Sequence, residues 1–222
     1  MPDPPTLTSL LTTRHSTRAF HPTPIPRALL ESTLALAHLS PSNSNLQPWR
    51  IKILTGAALT RLSTALAAAK SANLPPSTAP IPPSYRHHRS ALGKQLYGPQ
   101  GYDVAREDEE GMRAAQLRNY RFFDAPCGVV VYMESCLAQI DVLSVGMWVQ
   151  SFCLALGERG VACCVSASVA GYGEVIKKEL GLGDEVEVLV GVAVGYEDGE
   201  EGINGVRTGR DKWEDSVDFM ED

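Results

Sequence analysis

The stretch from Glu185 to Tyr196 constrains the fold most. It places valine at 186, 188, 190, 192 and 194, and beyond Glu187 the residues between them are Leu189, Gly191, Ala193 and Gly195. A run with no polar side reads as a strand buried on both faces. Pro126 to Met133 is a second apolar β-rich run, and Arg50 to Leu54 a third. Helical segments lie between them. Ala28 to Leu39 has helical periodicity, with Leu30, Leu34 and Ala37 on one face. Ala57 to Ala72 is rich in Ala and Leu. Asp141 to Glu158 sets Val142, Val145, Val149, Phe152 and Leu156 along one side and stops at Gly160. Short helices are expected at 6–13, near 108–118 and from Ala170 to Leu180. Strands separated by several helices give an α+β or α/β sandwich.

At roughly 150 residues per domain, 222 residues make one compact domain over 1–222. Residues 73–103 break the pattern. They hold five prolines between 75 and 83 and then Tyr85-Arg86-His87-His88-Arg89, and read as a long excursion without regular structure, a lid. Residues 197–222 form a polar, acidic C-terminal extension.

Composition excludes several classes. The five cysteines are odd in number and form no Cys-x-x-Cys, which fits neither a disulfide framework nor a zinc ribbon. Met1 to Pro5 lacks the basic start and apolar run of a signal peptide. No uninterrupted apolar stretch approaches the ~18 residues of a membrane span. These features read as a cytoplasmic protein. The net charge of −6 disfavours nucleic acid as a partner.

Against that acidic background, Arg14-His15-Ser16-Thr17-Arg18 gathers two fixed cations, two hydroxyls and an imidazole. Guanidinium forks and hydroxyls suit a phosphate, and in an extended stretch Arg14, Ser16 and Arg18 share one face. The same residues also read as a basic cap on a helix C-terminus. Pro41-Ser42-Asn43-Ser44-Asn45-Leu46-Gln47-Pro48-Trp49 offers carboxamides beside a Trp, either to read the edge of a heterocycle or as a plain helix-to-strand turn. Arg207 and Arg210 follow Asn204 inside the acidic tail. His87-His88 reads as part of a basic lid, not a metal site, and Cys163-Cys164 as two small core residues.

Taken in order, these segments resemble the FMN-dependent nitroreductase family. Arg14 to Phe20 resembles its opening Arg-[Arg/His]-Ser-x-Arg-x-Phe, and Pro41 to Trp49 its Pro-Ser-x-x-Asn-x-Gln-Pro-Trp. Arg118-Asn119-Tyr120-Arg121-Phe122-Phe123-Asp124-Ala125-Pro126 is similar to a further stretch. Gly146 to Gln150, Gly191 to Tyr196 and Asn204 to Arg210 complete the series, over residues 7–219.

The resemblance implies an α+β fold with a central antiparallel sheet flanked by helices. It implies a homodimer with two FMN sites at the interface, and a C-terminal segment that crosses onto the partner. It assigns Arg14, Ser16 and Arg18, with His15 in the same loop, to the FMN phosphate and ribityl chain. Arg210 matches a second phosphate arginine. Pro41, Ser42, Asn43 and Asn45 match a loop that reaches the flavin held mainly by the other subunit. Asn119 and Arg121 match positions near the ribityl chain and the polar edge of the isoalloxazine, and Arg121 is the candidate to meet charge that develops at N1 and O2. Ser166-Ala167-Ser168 stands where many members carry Gln-Ala, so Ser166 and Ala167 are carried over as flavin-facing positions only.

The implied activity is ping-pong transfer. NAD(P)H gives a hydride to the flavin, and a nitroaromatic, quinone or enone then takes the electrons. A tailoring dehydrogenase or oxidase acting on one dedicated substrate, and a non-catalytic flavin-binding protein, are the alternatives.

Overall fold

The computed structural model describes residues 5–221. The Met1–Pro4 part of the segment read for a leader lies outside them. All strand pairs are antiparallel. β5 (Val186–Glu197) is the long central strand, as its valine run requires. One edge of β5 pairs with β3 (Cys127–Glu134), which pairs with β2 (Arg50–Thr55). The other edge of β5 is shared. β4 (Ala162–Ser166) pairs along residues 191–195, and the two-residue β1 (Phe20–His21) pairs beyond it, with Phe20 opposite Glu197.

Helices cover both faces. On one face α2 (Arg27–Ala37) and the long α6 (Gln139–Glu158) close over Val129, Val131, Val192 and Val194, with Trp148 stacked on Phe152 at 5.1 Å in the core. On the other, α3 (Gly56–Ser71), α7 (Ala167–Ala170) and α8 (Gly173–Leu180) pack with Phe122 and Phe123 over Val130 and Ala193. Local chemistry sets the helix ends. Thr6 accepts from the backbone N–H of Ser9 to start α1 (Leu7–Thr13), and Asp108 accepts from Gly111 to start α5 (Glu109–Arg118). α8 closes at Gly181, whose φ of +62° an L side chain would strain.

Four expectations need correction. Residues 73–103 are not structureless: α4 (Arg86–Tyr97) occupies their second half. The flanking prolines and the Arg-His composition hid a helix that buries none of its residues. The start of the excursion is also tied down. Ser77 donates its N–H to the Gly171 carbonyl at 2.8 Å, and the Tyr172 hydroxyl donates to the Leu74 carbonyl at 3.0 Å. The helix expected from Ala170 breaks at Gly171-Tyr172 into α7 and α8. Val142 faces outward on α6, and Trp148 takes the buried place instead. Finally, α6 has a mean hydropathy of 1.5 over 18 residues, enough by length and composition for a membrane span, yet its inner side chains form the core. Its outer face stays apolar, with Ile140 and Leu143 more than half exposed.

Candidate functional site

α1 delivers the chain into Arg14–Ala19, which runs between β4 and the segment after β5. Each step of this loop is anchored. Thr17 donates its N–H to the Cys163 carbonyl at 3.2 Å. Arg18 and Ala19 donate theirs to Asn204 Oδ1 at 2.7 and 3.1 Å. Asn204 Nδ2 in turn donates to the carbonyls of Ala19 and Asp198 at 2.8 and 2.9 Å. His15 sits between two acceptors, the Thr13 carbonyl at Nδ1 and Glu197 Oε1 at Nε2, each 3.1 Å away. An imidazolium would donate to both.

The anchoring opens a cleft of about 310 Å³, lined by Arg14, His15, Thr17, Cys153, Cys163, Glu197 and Arg207 among others. It holds two fixed cations, and its one carboxylate is engaged by His15. Ser16 and Arg18 do not line the cleft, but Thr17 between them is bonded to the same strand. Burial pushes the Cys164 thiol up, while the positive charges of Arg18 and Arg14 pull it back. The Arg14–Arg18 loop is thus held on β4 through Thr17, with Arg14 in the cleft beside Cys163. Val165 of that strand is 41% exposed between buried Cys164 and Ser166.

Two buried polar atoms near Arg18 have no partner among the described residues, Arg118 Nε and the Tyr102 hydroxyl. The Arg118 guanidinium lies 5.4 Å from the Tyr102 ring centroid, and its Nη2 donates to the Arg18 carbonyl at 3.4 Å. Burial pushes the Tyr102 phenol up to about 12, with Arg118 and Arg18 opposing.

The other expected site residues are placed as follows. Pro41 to Asn45 form an exposed turn, and Ser44, Asn45 and Gln47 all have positive φ. Such backbone needs tertiary support. Asn43 supplies it by donating its N–H to Ser144 Oγ on α6 at 3.1 Å, and Ser42 Oγ accepts from Gln47 at 3.1 Å. This turn does not line the Arg14 cleft. Asn119 donates Nδ2 to the Gln116 carbonyl. Arg121 forks onto Asp124 at 3.0 and 3.1 Å and lines a separate groove along α3, which shares no residue with the first cleft. Ser166 is buried and Ala167 exposed at the turn from β4 into α7. Arg210 bonds within its own loop, to Thr208 and Gly209, while Arg207 lines the cleft. Glu197, Tyr102, Arg118 and Val165 were not expected at the site. Nothing local marks them, since His15 and Glu197 lie 182 positions apart.

Known proteins with this arrangement settle its ancestry. Residues 11–196 match the model of the nitroreductase family. The chain belongs to that family. It is 32% identical over 216 residues to a 4-nitrobenzoate reductase of Pseudomonas putida, covering 96% of this chain and 94% of that one. It is 30% identical to a chloronitrobenzene nitroreductase of Comamonas testosteroni, covering 99% of each. Among solved structures, the FMN- and NADPH-dependent nitroreductase NfnB from a Sphigopyxis strain superposes with a TM-score of 0.92 at 31% identity, covering 98% and 100%. The Mycobacterium smegmatis NfnB in complex with NADPH gives 0.88 at 27%, covering 96% of each. The nitroreductase fold, with its central antiparallel sheet, is therefore that of this chain.

Proposed function

We propose that this nitroreductase-family member binds FMN and uses NAD(P)H to reduce nitroaromatic, quinone or enone-type small molecules. The Arg14–Arg18 loop held on β4, with Arg14 and Arg207 in one cleft beside the strand that carries the outward Val165, supports the reading. The donor set suits FMN. Arg14 and Arg207 offer guanidinium forks to a phosphate, and a charge-assisted hydrogen bond contributes about 1.5–3 kcal/mol. Ser16 supplies a hydroxyl, and the unmet donors beside Arg18 call for acceptors such as those on the polar edge of a flavin. When bound there, FMN would supply the hydride and electron chemistry that links the nicotinamide to the second substrate.

The protein's share is to bind and orient. Asn204 and Glu197 fix the loop so that Arg14 and Arg18 hold their charge without reorganising, which is where preorganised cations gain most. Val165 offers an apolar contact for a flat ring. No side chain acts as a nucleophile. Relatives named for nitrobenzoate and chloronitrobenzene support a nitroaromatic acceptor.

The working form we infer is a homodimer. The outer face of α6 is apolar, and α1, α2 and the 43–45 turn that pack on α6 expose Leu7, Leu11 and Leu36, with Leu39 and Leu46 exposed just beyond α2 and the turn. An apolar surface this broad is commonly an interface. It would place the Pro41–Asn45 turn against a partner. The tail's exposed Trp213, Val217 and Phe219 suit a segment laid across a second copy.

The test is the absorption spectrum of the purified protein, followed by NAD(P)H without oxygen. Yellow protein that bleaches and then reoxidises on adding 4-nitrobenzoate is expected. Protein that neither carries nor takes up FMN overturns the assignment.

A further inference from the structure

His15 is the one cation of the Arg14 cleft that can lose its charge, and its surroundings are built for the charged form. Its side chain is 15% exposed. Nδ1 lies 3.1 Å from the Thr13 carbonyl at the end of α1, and Nε2 lies 3.1 Å from Glu197 Oε1 at the end of β5. A neutral imidazole carries one N–H, so one of these contacts would set two lone pairs against each other. The imidazolium donates to both. Thr17 Oγ1, 3.5 Å from Nε2, is farther than either acceptor. Among the described residues of the lining, Glu197 is the one carboxylate, Arg14 and Arg207 are the fixed cations, and Cys153 on α6 and Cys163 on β4 are buried thiols. The neighbouring His21–Asp198 pair is longer, at 4.0 Å, and lies outside the cleft.

We propose that His15 and Glu197 form a proton-gated positioning pair for the cofactor's phosphate, an inference that rests on the FMN reading above. With both ring nitrogens protonated, His15 neutralises Glu197, and the cleft presents the two positive charges of Arg14 and Arg207 to the phosphate. When one proton leaves, the carboxylate stands uncovered, and the net charge of the lining falls from two to one. A carboxylate facing a phosphate weakens its hold. Histidine is the side chain that ordinarily changes charge between about pH 5 and about pH 8. The sign follows: the flavin is held more tightly on the acid side and less tightly as pH rises through that range. The phosphate's own titration runs the other way. Its second proton leaves near pH 6, which strengthens its attraction to arginine. A loss of affinity at higher pH therefore belongs to the protein.

The test dilutes the FMN-loaded protein at about pH 6 and at about pH 8.5, at one ionic strength, and reads the released flavin by its fluorescence. The wild-type dissociation constant should rise about tenfold at the higher pH, the effect of one unit charge several ångströms away at a partly screened site. His15→Gln should hold FMN weakly at both pH values, because nothing neutralises Glu197. Glu197→Gln should hold FMN more tightly than the wild type at the higher pH, because no carboxylate is uncovered. A purely structural Glu197 would give the opposite, weaker binding at both. His21→Gln should keep the wild-type rise. A wild-type constant that stays flat or falls toward the higher pH, or a Glu197→Gln protein that binds more weakly there than the wild type, overturns the pair. Protein that binds no FMN at either pH overturns the cofactor reading and the pair with it. Should a variant at 15 or 197 misfold, the wild-type and His21→Gln profiles decide.

Discussion

Asn204→Ala tests whether the site's geometry comes from one buried carboxamide. Asn204 is 2% exposed and makes four hydrogen bonds, to Arg18 N, Ala19 N, Ala19 O and Asp198 O. Alanine removes all four at once and leaves Arg18 N, Ala19 N and Asp198 O without these partners, while Ala19 O keeps only the Asp198 N–H. The two bonds to Ala19 are fully buried. Their loss should cost about 1.5 kcal/mol each, because no water replaces the carboxamide. The other two are partly solvated and should cost about 0.5 kcal/mol each. The combined effect is about 4 kcal/mol, a large part of the 5–15 kcal/mol typical of a folded protein. Urea unfolding followed by tryptophan fluorescence, at one fixed protein concentration, reads this directly. Flavin retention should fall in parallel, since the freed segment carries Arg18. Asn204→Asp should be about as harmful, because it turns the donors facing two carbonyls into acceptors. A loss below about 1 kcal/mol for alanine, with an unchanged urea slope, would refute the reasoning.

Four shorter predictions follow from the same contacts. Arg18→Ala should purify with less than one FMN per chain, and full occupancy would count against the flavin role of the loop. Gly171→Ala should push the strap off α7, since a Cβ there would lie 2.9 Å from Pro76 Cβ and 3.3 Å from Thr78 Oγ1. Faster proteolysis within 75–83 and a loss of about 1–3 kcal/mol are expected, and unchanged cleavage would show that the strap adapts. Burial holds Cys127 and Tyr102 at about 12, against ordinary values of 9.0 and 10.0. Below about pH 8 both the folded and the unfolded chain keep these protons and the stability is whole; above it the unfolded chain releases them first, so stability falls as pH rises toward 12. The urea midpoint should therefore drop between about pH 8 and about pH 10.5, and a flat midpoint would exclude that burial. Leu143→Glu on the outer face of α6 should yield monomers in sedimentation velocity, and a persistent dimer would move the interface elsewhere.

Much of this architecture could be read from residue order, and the reasons are local. β5 shows itself because a strand covered on both faces tolerates little but Val, Leu, Ala and Gly over most of its length. α2 and α3 show themselves because one side is buried and the other is wet, which is the condition periodicity detects. α4 buries nothing, so it leaves no periodic trace. Val142 and Trp148 exchanged roles on α6 because that helix is apolar on both its inner and outer faces, and hydrophobicity alone cannot say which face meets the sheet. The same limit applies at the site. The Arg14–Arg18 cluster stands out as charge against an acidic chain, whereas Glu197 is one acid among many until the fold brings it to His15. Arg207 and Arg210 look equivalent in the tail, and only tertiary structure separates the one in the cleft from the one on the surface.

The shared edge of β5 also decides when the protein can become active during its synthesis. Residues 20 and 21 pair with 197 and 196, and Arg18 and Ala19 wait for Asn204. Residues 18–21 therefore wait for these partners until nearly the last part of the chain has left the ribosome. Contacts spanning this much sequence form slowly and late. α2, β2 and α3 can gather apolar contacts early, but β5 must arrive before the sheet has a centre. A truncated translation product ending before 186 would lack both the central strand and the clamp, and it would have no closed cleft in which to retain a flavin.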